Sequence, residues 1–255
     1  MKKLTILGVA VAALLASPAM AADLPMPVKA PPMVAPPPPM TWTGCYIGGN
    51  LGWGKQDTHV ELQGYREYSG GPFVPDYYDY GWTNGAGGVF GGQVGCDYQL
   101  NSNWVVGVRG MFDGTNINQD LVYDPVSSSD DLNMKTEWFA TALGRIGYLA
   151  LPNALVYVKG GAAWKHVSYN YCAGCAEGPE YIATATQTVL GYDVGVGFEY
   201  AFIPNLSAFA ELDYLGFPGT NTSLTFSSYP GAPGDVIKFS HDMLMMVVGM
   251  NWRFH

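Results

Sequence analysis

Eight stretches of the 255-residue chain alternate apolar and polar side chains at period two, and three short and four long connections join them in turn. That pattern predicts an all-β fold, an eight-stranded antiparallel transmembrane β-barrel with three short periplasmic turns and four long external loops. Composition agrees: 33 Gly, 14% aromatic and only 13% charged residues, against about 25% charged in an ordinary globular domain, suit a surface that meets lipid. Outside the N-terminal segment no run reaches the roughly 18 apolar residues of a spanning helix. A closed barrel is the other structure that satisfies its backbone in hydrocarbon.

In chain order, residues 1–21 read as a cleaved signal peptide: Lys2 and Lys3, an apolar run from Leu4 to Ala16, then an Ala19-Met20-Ala21 cleavage box. The alternative is an uncleaved helical anchor, for which the run is shorter than the ~20 residues required. Residues 22–41 form a proline-rich periplasmic arm, extended and without a core of its own; it serves as a solvated spacer or as a tether. The barrel follows over 42–254, with strands expected near 42–55, 85–100, 103–116, 135–150, 154–168, 187–202, 205–217 and 238–254. Asn101-Ser102-Asn103, Leu151-Pro152-Asn153 and Ile203-Pro204-Asn205 are tight turns, and 56–84, 117–134, 169–186 and 218–237 are expected as loops.

The closing stretch shows the faces best. Leu244, Met246, Val248, Met250, Trp252 and Phe254 share one side; Gly249, Asn251 and Arg253 share the other, although Met243, Met245 and Val247 make the upper part of that inner side apolar. Likewise Arg109 and Asp113 oppose Trp104, Val106, Val108 and Phe112, and Asp193 and Glu199 oppose Tyr192, Val194, Val196 and Phe198. With Glu137, Arg145, Lys159, Glu211, Asp213 and Arg253 they give a lumen lined by carboxylates and cations. Such charges must pair, or their burial costs several kcal/mol each.

A strand ending Gly-Met-Asn-Trp-Arg-Phe, followed by His255, resembles the signal by which the outer-membrane assembly machinery recognises barrels, with Trp252 and Phe254 as its key residues. Trp42-Thr43-Gly44-Cys45-Tyr46-Ile47-Gly48-Gly49-Asn50 resembles the first strand, and Gly91-Gly92-Gln93-Val94-Gly95-Cys96-Asp97-Tyr98-Gln99 the second, of the small outer-membrane barrels of alpha-proteobacteria. Trp138-Phe139 and Gly197-Phe198-Glu199-Tyr200 extend the match. This opacity-type, porin-like family has the OmpA- and OmpX-like architecture and includes hemin-binding members. The resemblance implies location in the cell outer membrane, contact with its lipid and lipopolysaccharide, and assembly by the barrel machinery.

The formal net charge of −9 argues against nucleic acid, whose binding rests on Lys and Arg. Four cysteines in an exported chain invite pairing. Cys172-Ala173-Gly174-Cys175 lacks the βαβ setting of a redox motif and reads as a loop-pinning disulfide. Cys45 and Cys96, on one face at similar depth, are either a cross-strand disulfide or two buried thiols. His166-Val167-Ser168, with Glu177 and Glu180 downstream, faintly resembles the His-x-Ser of outer-membrane lipid A deacylases; the alternative is an interfacial His beside a hydroxyl. Tyr65, Tyr68, Phe73, Tyr77, Tyr78 and Tyr80 with Glu61, Glu67, Asp76 and Asp79 suit recognition by an exposed loop. Asp124, Asp130 and Asp131 lack calcium-loop spacing, and His59, His166 and His241 are haem-ligand candidates without a defining pattern. The expected role is structural and interactive, without enzymatic activity, metal or cofactor: envelope integrity and recognition of host or surface ligands by the loops. A passive porin, a haem or other ligand receptor, and a lipid-modifying enzyme are the alternatives.

Overall fold

The computed structural model describes residues 40–66, 71–122, 131–173, 181–225 and 234–254. The signal peptide and nearly all of the proline-rich arm therefore lie outside the described residues. Strands β1 (Gly44–Arg66), β2 (Phe73–Gln99), β3 (Trp104–Val122), β4 (Asp131–Leu151), β5 (Ala154–Ala173), β6 (Tyr181–Ile203), β7 (Leu206–Thr225) and β8 (Gly234–Phe254) close an antiparallel barrel in sequence order. β8 pairs with β1 from Cys45–Phe254 up to Arg66–Gly234.

The three tight turns stand where the sequence places them. Each ends in an asparagine whose carbonyl accepts a backbone N–H from the next-but-one strand: Leu149 to Asn103 at 2.7 Å, Ala201 to Asn153 at 2.9 Å and Arg253 to Asn205 at 2.8 Å. The side chain of Asn101 also accepts the N–H groups of Asn103 and Trp104, at 2.9 and 3.0 Å.

Above these turns the outer surface is apolar. Tyr98, Trp104, Tyr148, Phe202, Trp252 and Phe254 ring the lower end, and Trp53, Phe90, Phe112, Trp164, Tyr192 and Tyr214 ring a second level, all exposed. Leu244 to Phe254 links the two levels, about 33 Å along the strand and about 25 Å along the barrel axis at a tilt near 40°, the height of an outer-membrane apolar band. The disulfide Cys45–Cys96 joins directly paired residues of β1 and β2 on this lipid-facing side. Cys172 is disulfide-bonded too, while Cys175 lies outside the described residues.

The strands are 19 to 27 residues long, about twice the 9–11 that cross a bilayer. Most of the described residues in the stretches expected as loops are therefore strand. The reason is a change of sign: beyond Trp53 the alternation continues, but Lys55, Asp57, His59 and Glu61 now face out while Thr58 and Val60 are fully buried. A pattern sought as apolar outside and polar inside ends at that reversal, although the backbone does not.

Backbone pairing is incomplete in this upper crown. β2 pairs with β3 only from Val89–Thr115 downward, and β6 with β7 only from Tyr192–Gly216 downward. Above those levels two four-stranded sheets, β7-β8-β1-β2 and β3-β4-β5-β6, face each other. Val60, Ile237 and Phe239 of the first pack on Leu132, Met134, Val167 and Tyr169 of the second. Side chains bridge the seams: Thr83 Oγ1 donates to the Asp120 carbonyl at 3.1 Å, and Thr222 Oγ1 to Gln187 Oε1.

Closure depends on β8, since a barrel without it leaves β1 and β7 as open edges in hydrocarbon. Removal of residues 252–255 unpairs Cys45, Tyr46 and Ile47 and is expected to abolish insertion, measured as loss of the protease-resistant, membrane-integrated form in cells. A truncated protein as resistant as the intact one contradicts the closure described here.

Candidate functional site

The lumen carries most of the charged constellation. Inward positions at bilayer level include many glycines, and long polar side chains from opposite strands meet in the space these leave. Arg145 of β4 is the central clamp. Its Nε donates to Asp97 Oδ1 at 2.8 Å, its Nη2 to Asp97 Oδ2, and its Nη1 to Glu199 Oε2 at 2.9 Å. The guanidinium lies between the rings of Tyr46 and Tyr157, 5.1 and 4.9 Å from their centroids. Glu199 also accepts from Ser207 Oγ at 2.5 Å and Asn251 Nδ2 at 2.9 Å, so the fork, its acceptors and their donors join five strands, β2, β4, β6, β7 and β8.

Arg253 adds a lid from below. Its Nη2 donates to Asp97 at 2.8 Å and its Nη1 to the Trp42 carbonyl at 2.5 Å, with the guanidinium 5.3 Å from the Trp42 ring. Trp42, expected as the first residue of strand one, precedes β1 and fills the periplasmic mouth; it is 1% exposed, and its indole N–H donates to the Pro152 carbonyl at 3.1 Å. Further up, Glu211 accepts from Arg109 Nη2 at 2.6 Å, from Lys159 and from Tyr157, and Lys159 reaches Asp213 at 2.9 Å. Above this level Ile117, Phe139, Val189, Phe217, Met243 and Met245 form an apolar layer across the lumen, which accounts for the apolar inner side of upper β8. Lys165 is fully buried among these groups; it donates to Gln56 Oε1 at 3.1 Å and lies 4.5 Å from the Phe217 ring centroid.

Of the sequence-predicted lumen charges, Arg109, Asp113, Arg145, Lys159, Asp193, Glu199, Glu211, Asp213 and Arg253 all point inward and are at most 5% exposed. Glu137 is a correction. A bulge between Thr136 and Trp138 on the β4–β5 ladder inserts it as an extra residue, which turns it to the outer face, with a side chain 43% exposed. There it accepts from Ser168 Oγ at 2.7 Å. Asp97 and Lys165 are lumen charges that the sequence reading missed, although Asp97 alternates with the outward Val94, Cys96 and Tyr98 and was findable by parity.

The His-x-Ser pair sits on the outer wall of the crown. His166 Nδ1 meets Thr188 Oγ1 at 2.9 Å, its ring stacks on Trp138 at 5.4 Å, and the Ser168 hydroxyl is engaged by Glu137. Glu177 and Glu180 lie outside the described residues, as do Glu67, Tyr68, Asp124 and Asp130. His241 is enclosed, with Nδ1 2.9 Å from Thr58 Oγ1 and Nε2 3.2 Å from the Tyr169 hydroxyl. On the crown surface His59 stacks on Trp82 at 4.7 Å and meets Asp79 at 2.9 Å, beside the exposed Tyr77 and Tyr78. The Gly81 N–H, donating at 2.7 Å, and then His59 hold the Asp79 carboxyl below its usual range.

A family model described as an outer membrane protein beta-barrel domain matches residues 7–229. The 31 kDa outer-membrane immunogenic proteins of Brucella melitensis biotype 1 and Brucella suis biovar 1 are each 27% identical over 255 residues, covering 96% of this chain and 97% of theirs. Among solved structures, the outer membrane protein OprG from Pseudomonas aeruginosa aligns with a TM-score of 0.50 and 14% identity, over 85% of this chain and 98% of that one. That likeness is one of fold alone.

Arg145→Ala leaves Asp97 and Glu199 short of their main partner, and stripping one member from a buried ion pair costs about 3–5 kcal/mol. Urea unfolding of the refolded variant is expected to show a loss of that order, and Arg145→Lys, which keeps the charge without the fork, a smaller one. A loss below about 1 kcal/mol for Arg145→Ala, the range of exposed pairs, contradicts the clamp.

Proposed function

The chain belongs to the outer membrane protein β-barrel family, and from that premise we propose that it is a structural and surface-interaction protein with a plugged lumen. The carrying observation is the Arg145 clamp between Tyr46 and Tyr157, covered by the apolar layer of Ile117, Phe139 and Met243. Eight strands enclose a space that side chains can fill, whereas open aqueous porins use about sixteen to eighteen. Here both ionic and apolar side chains occupy it, which supports a scaffold over a passive pore.

Interaction then belongs to the crown. Its solvent face combines exposed Tyr77, Tyr78 and Trp82 with Asp76 and Asp79, large contact area at low entropic cost beside fixed negative charge. That the Brucella relatives are named immunogenic fits a protein whose crown meets ligands or host molecules at the cell surface. Contact with lipopolysaccharide at the upper aromatic ring, assembly through Trp252 and Phe254, cleavage after residue 21 and the periplasmic course of residues 22–41 belong to the same reading. The role is non-enzymatic: the Ser168 hydroxyl donates to Glu137, and His166 Nδ1 is taken by Thr188.

Refolded protein in a planar bilayer is expected to give no stable open channel, with Arg145→Ala giving brief, small openings if the plug loosens. Large, reproducible single-channel steps from the unmodified protein overturn the plugged scaffold and put the pore in its place.

A further inference from the structure

Four large aromatic side chains of upper β2 stand in water rather than in lipid. Phe73, Tyr77, Tyr78 and Trp82 are 42 to 73% exposed. Trp82 pairs with His59 of β1, six residues beyond Trp53 of the upper aromatic ring. That places it roughly 20 Å further along the strand, and about 15 Å above the apolar band at a tilt near 40°. A membrane girdle does not account for rings at this height, and an apolar cluster in water marks an interaction surface.

The surface is ordered before anything docks on it. The His59 ring lies 4.7 Å from Trp82 with 13° between their planes, which backs one face of an indole that remains 62% exposed. Tyr78 leans on Tyr80 at 4.9 Å. Val60 pairs with Gly81 and Glu61 with Asp79, so Tyr80 is the extra residue of a bulge, at which Gly81 takes a φ of 85°. The bulge shifts parity and brings Asp79 to the outer face that carries His59 and Trp82. There His59 at 2.9 Å and the Gly81 N–H at 2.7 Å hold its Oδ1, and the side chain stays 65% exposed.

Charge selects the partner. From Gly71 to Trp82 the chain has Asp76 and Asp79 and neither Lys nor Arg. The lysines on neighbouring strands are already matched, Lys55 with Asp57 at 3.1 Å and Lys238 with Glu61 at 2.8 Å. Asp76 carries no ion pair among the described residues, and His59 offsets Asp79 only when protonated. We propose that this face of the crown docks an arginine-bearing basic segment of a partner protein. A guanidinium stacks on an indole and pairs its planar fork with a carboxylate, and Trp82 with Asp79 offers both; Asp76, beside Tyr77, takes a second cation further up. The inference rests on the crown as the recognition surface and names what it recognises.

The test refolds the full chain in non-ionic detergent and follows the fluorescence anisotropy of labelled short peptides that alternate glycine with arginine, with lysine or with glutamate. The arginine peptide is expected to bind more tightly than the lysine peptide and to weaken as sodium chloride is raised, since exposed charges are screened. The glutamate peptide is expected not to bind. Trp82→Ala should weaken the arginine peptide roughly two- to fivefold, the range of an exposed cation–π contact, and Trp82→Tyr less. Asp76→Asn with Asp79→Asn should cost at least as much as Trp82→Ala. Glu137→Gln removes one carboxylate from the opposite sheet and leaves binding unchanged, which separates a site from bulk charge. No binding of the arginine peptide, or the same loss in Glu137→Gln as in the Trp82 and Asp variants, overturns the site. Binding of the glutamate peptide in its place overturns the basic partner while leaving the crown a recognition surface.

Discussion

Hydrocarbon leaves no water to satisfy a backbone, and that constraint organises the molecule. Within the apolar band every strand must be paired on both sides, so the sheet closes and β8 must meet β1 along its length. Closure fixes the alternation, with one face to lipid and one to the lumen. It also fixes the lumen's size, which makes its charged residues meet across the barrel. Above the band water is present, and the constraint lapses where it is no longer needed: β2 parts from β3 and β6 from β7.

The crown is then held by the ordinary means of a soluble protein. Two sheets bury Val60, Met134, Val167 and Phe239 between them and turn their polar sides outward. One strand thus serves two solvents, and its inner face changes from polar to apolar as its outer face does the reverse. The lumen is correspondingly layered, with Trp42 and Arg253 at the mouth, the Arg145 clamp, the Glu211 group, and then an apolar layer. That layering supports the proposed scaffold, which presents binding surface without conducting.

Much of this was legible in the sequence where one rule held throughout. Strand number, turns and the inward set from Arg109 to Arg253 follow from period-two alternation with lipid outside. The lengths of the strands did not, because beyond Trp53 the same periodicity carries the opposite sign. Glu137 was misplaced by one inserted residue, since a bulge shifts parity without altering composition. Lys165 was missed although it lies within the expected strand 154–168 at the parity of the inward Lys159; its partners Gln56 and Phe217 come from β1 and β7, far apart in sequence.

The central claim, one continuous strand pattern that changes sign at the membrane surface, is tested most directly by a spin-label scan along β1 from Ile47 to Glu61. Collision with oxygen is expected to be high at Ile47, Leu51 and Trp53, and collision with a water-soluble nickel complex high at Lys55, Asp57 and Glu61. Labels at Gln56, Thr58 and Val60 should be immobile and reached by neither. A loss of period-two mobility above residue 55, with odd and even positions alike in water, would contradict the account and restore a barrel that ends at the membrane surface with loops above it.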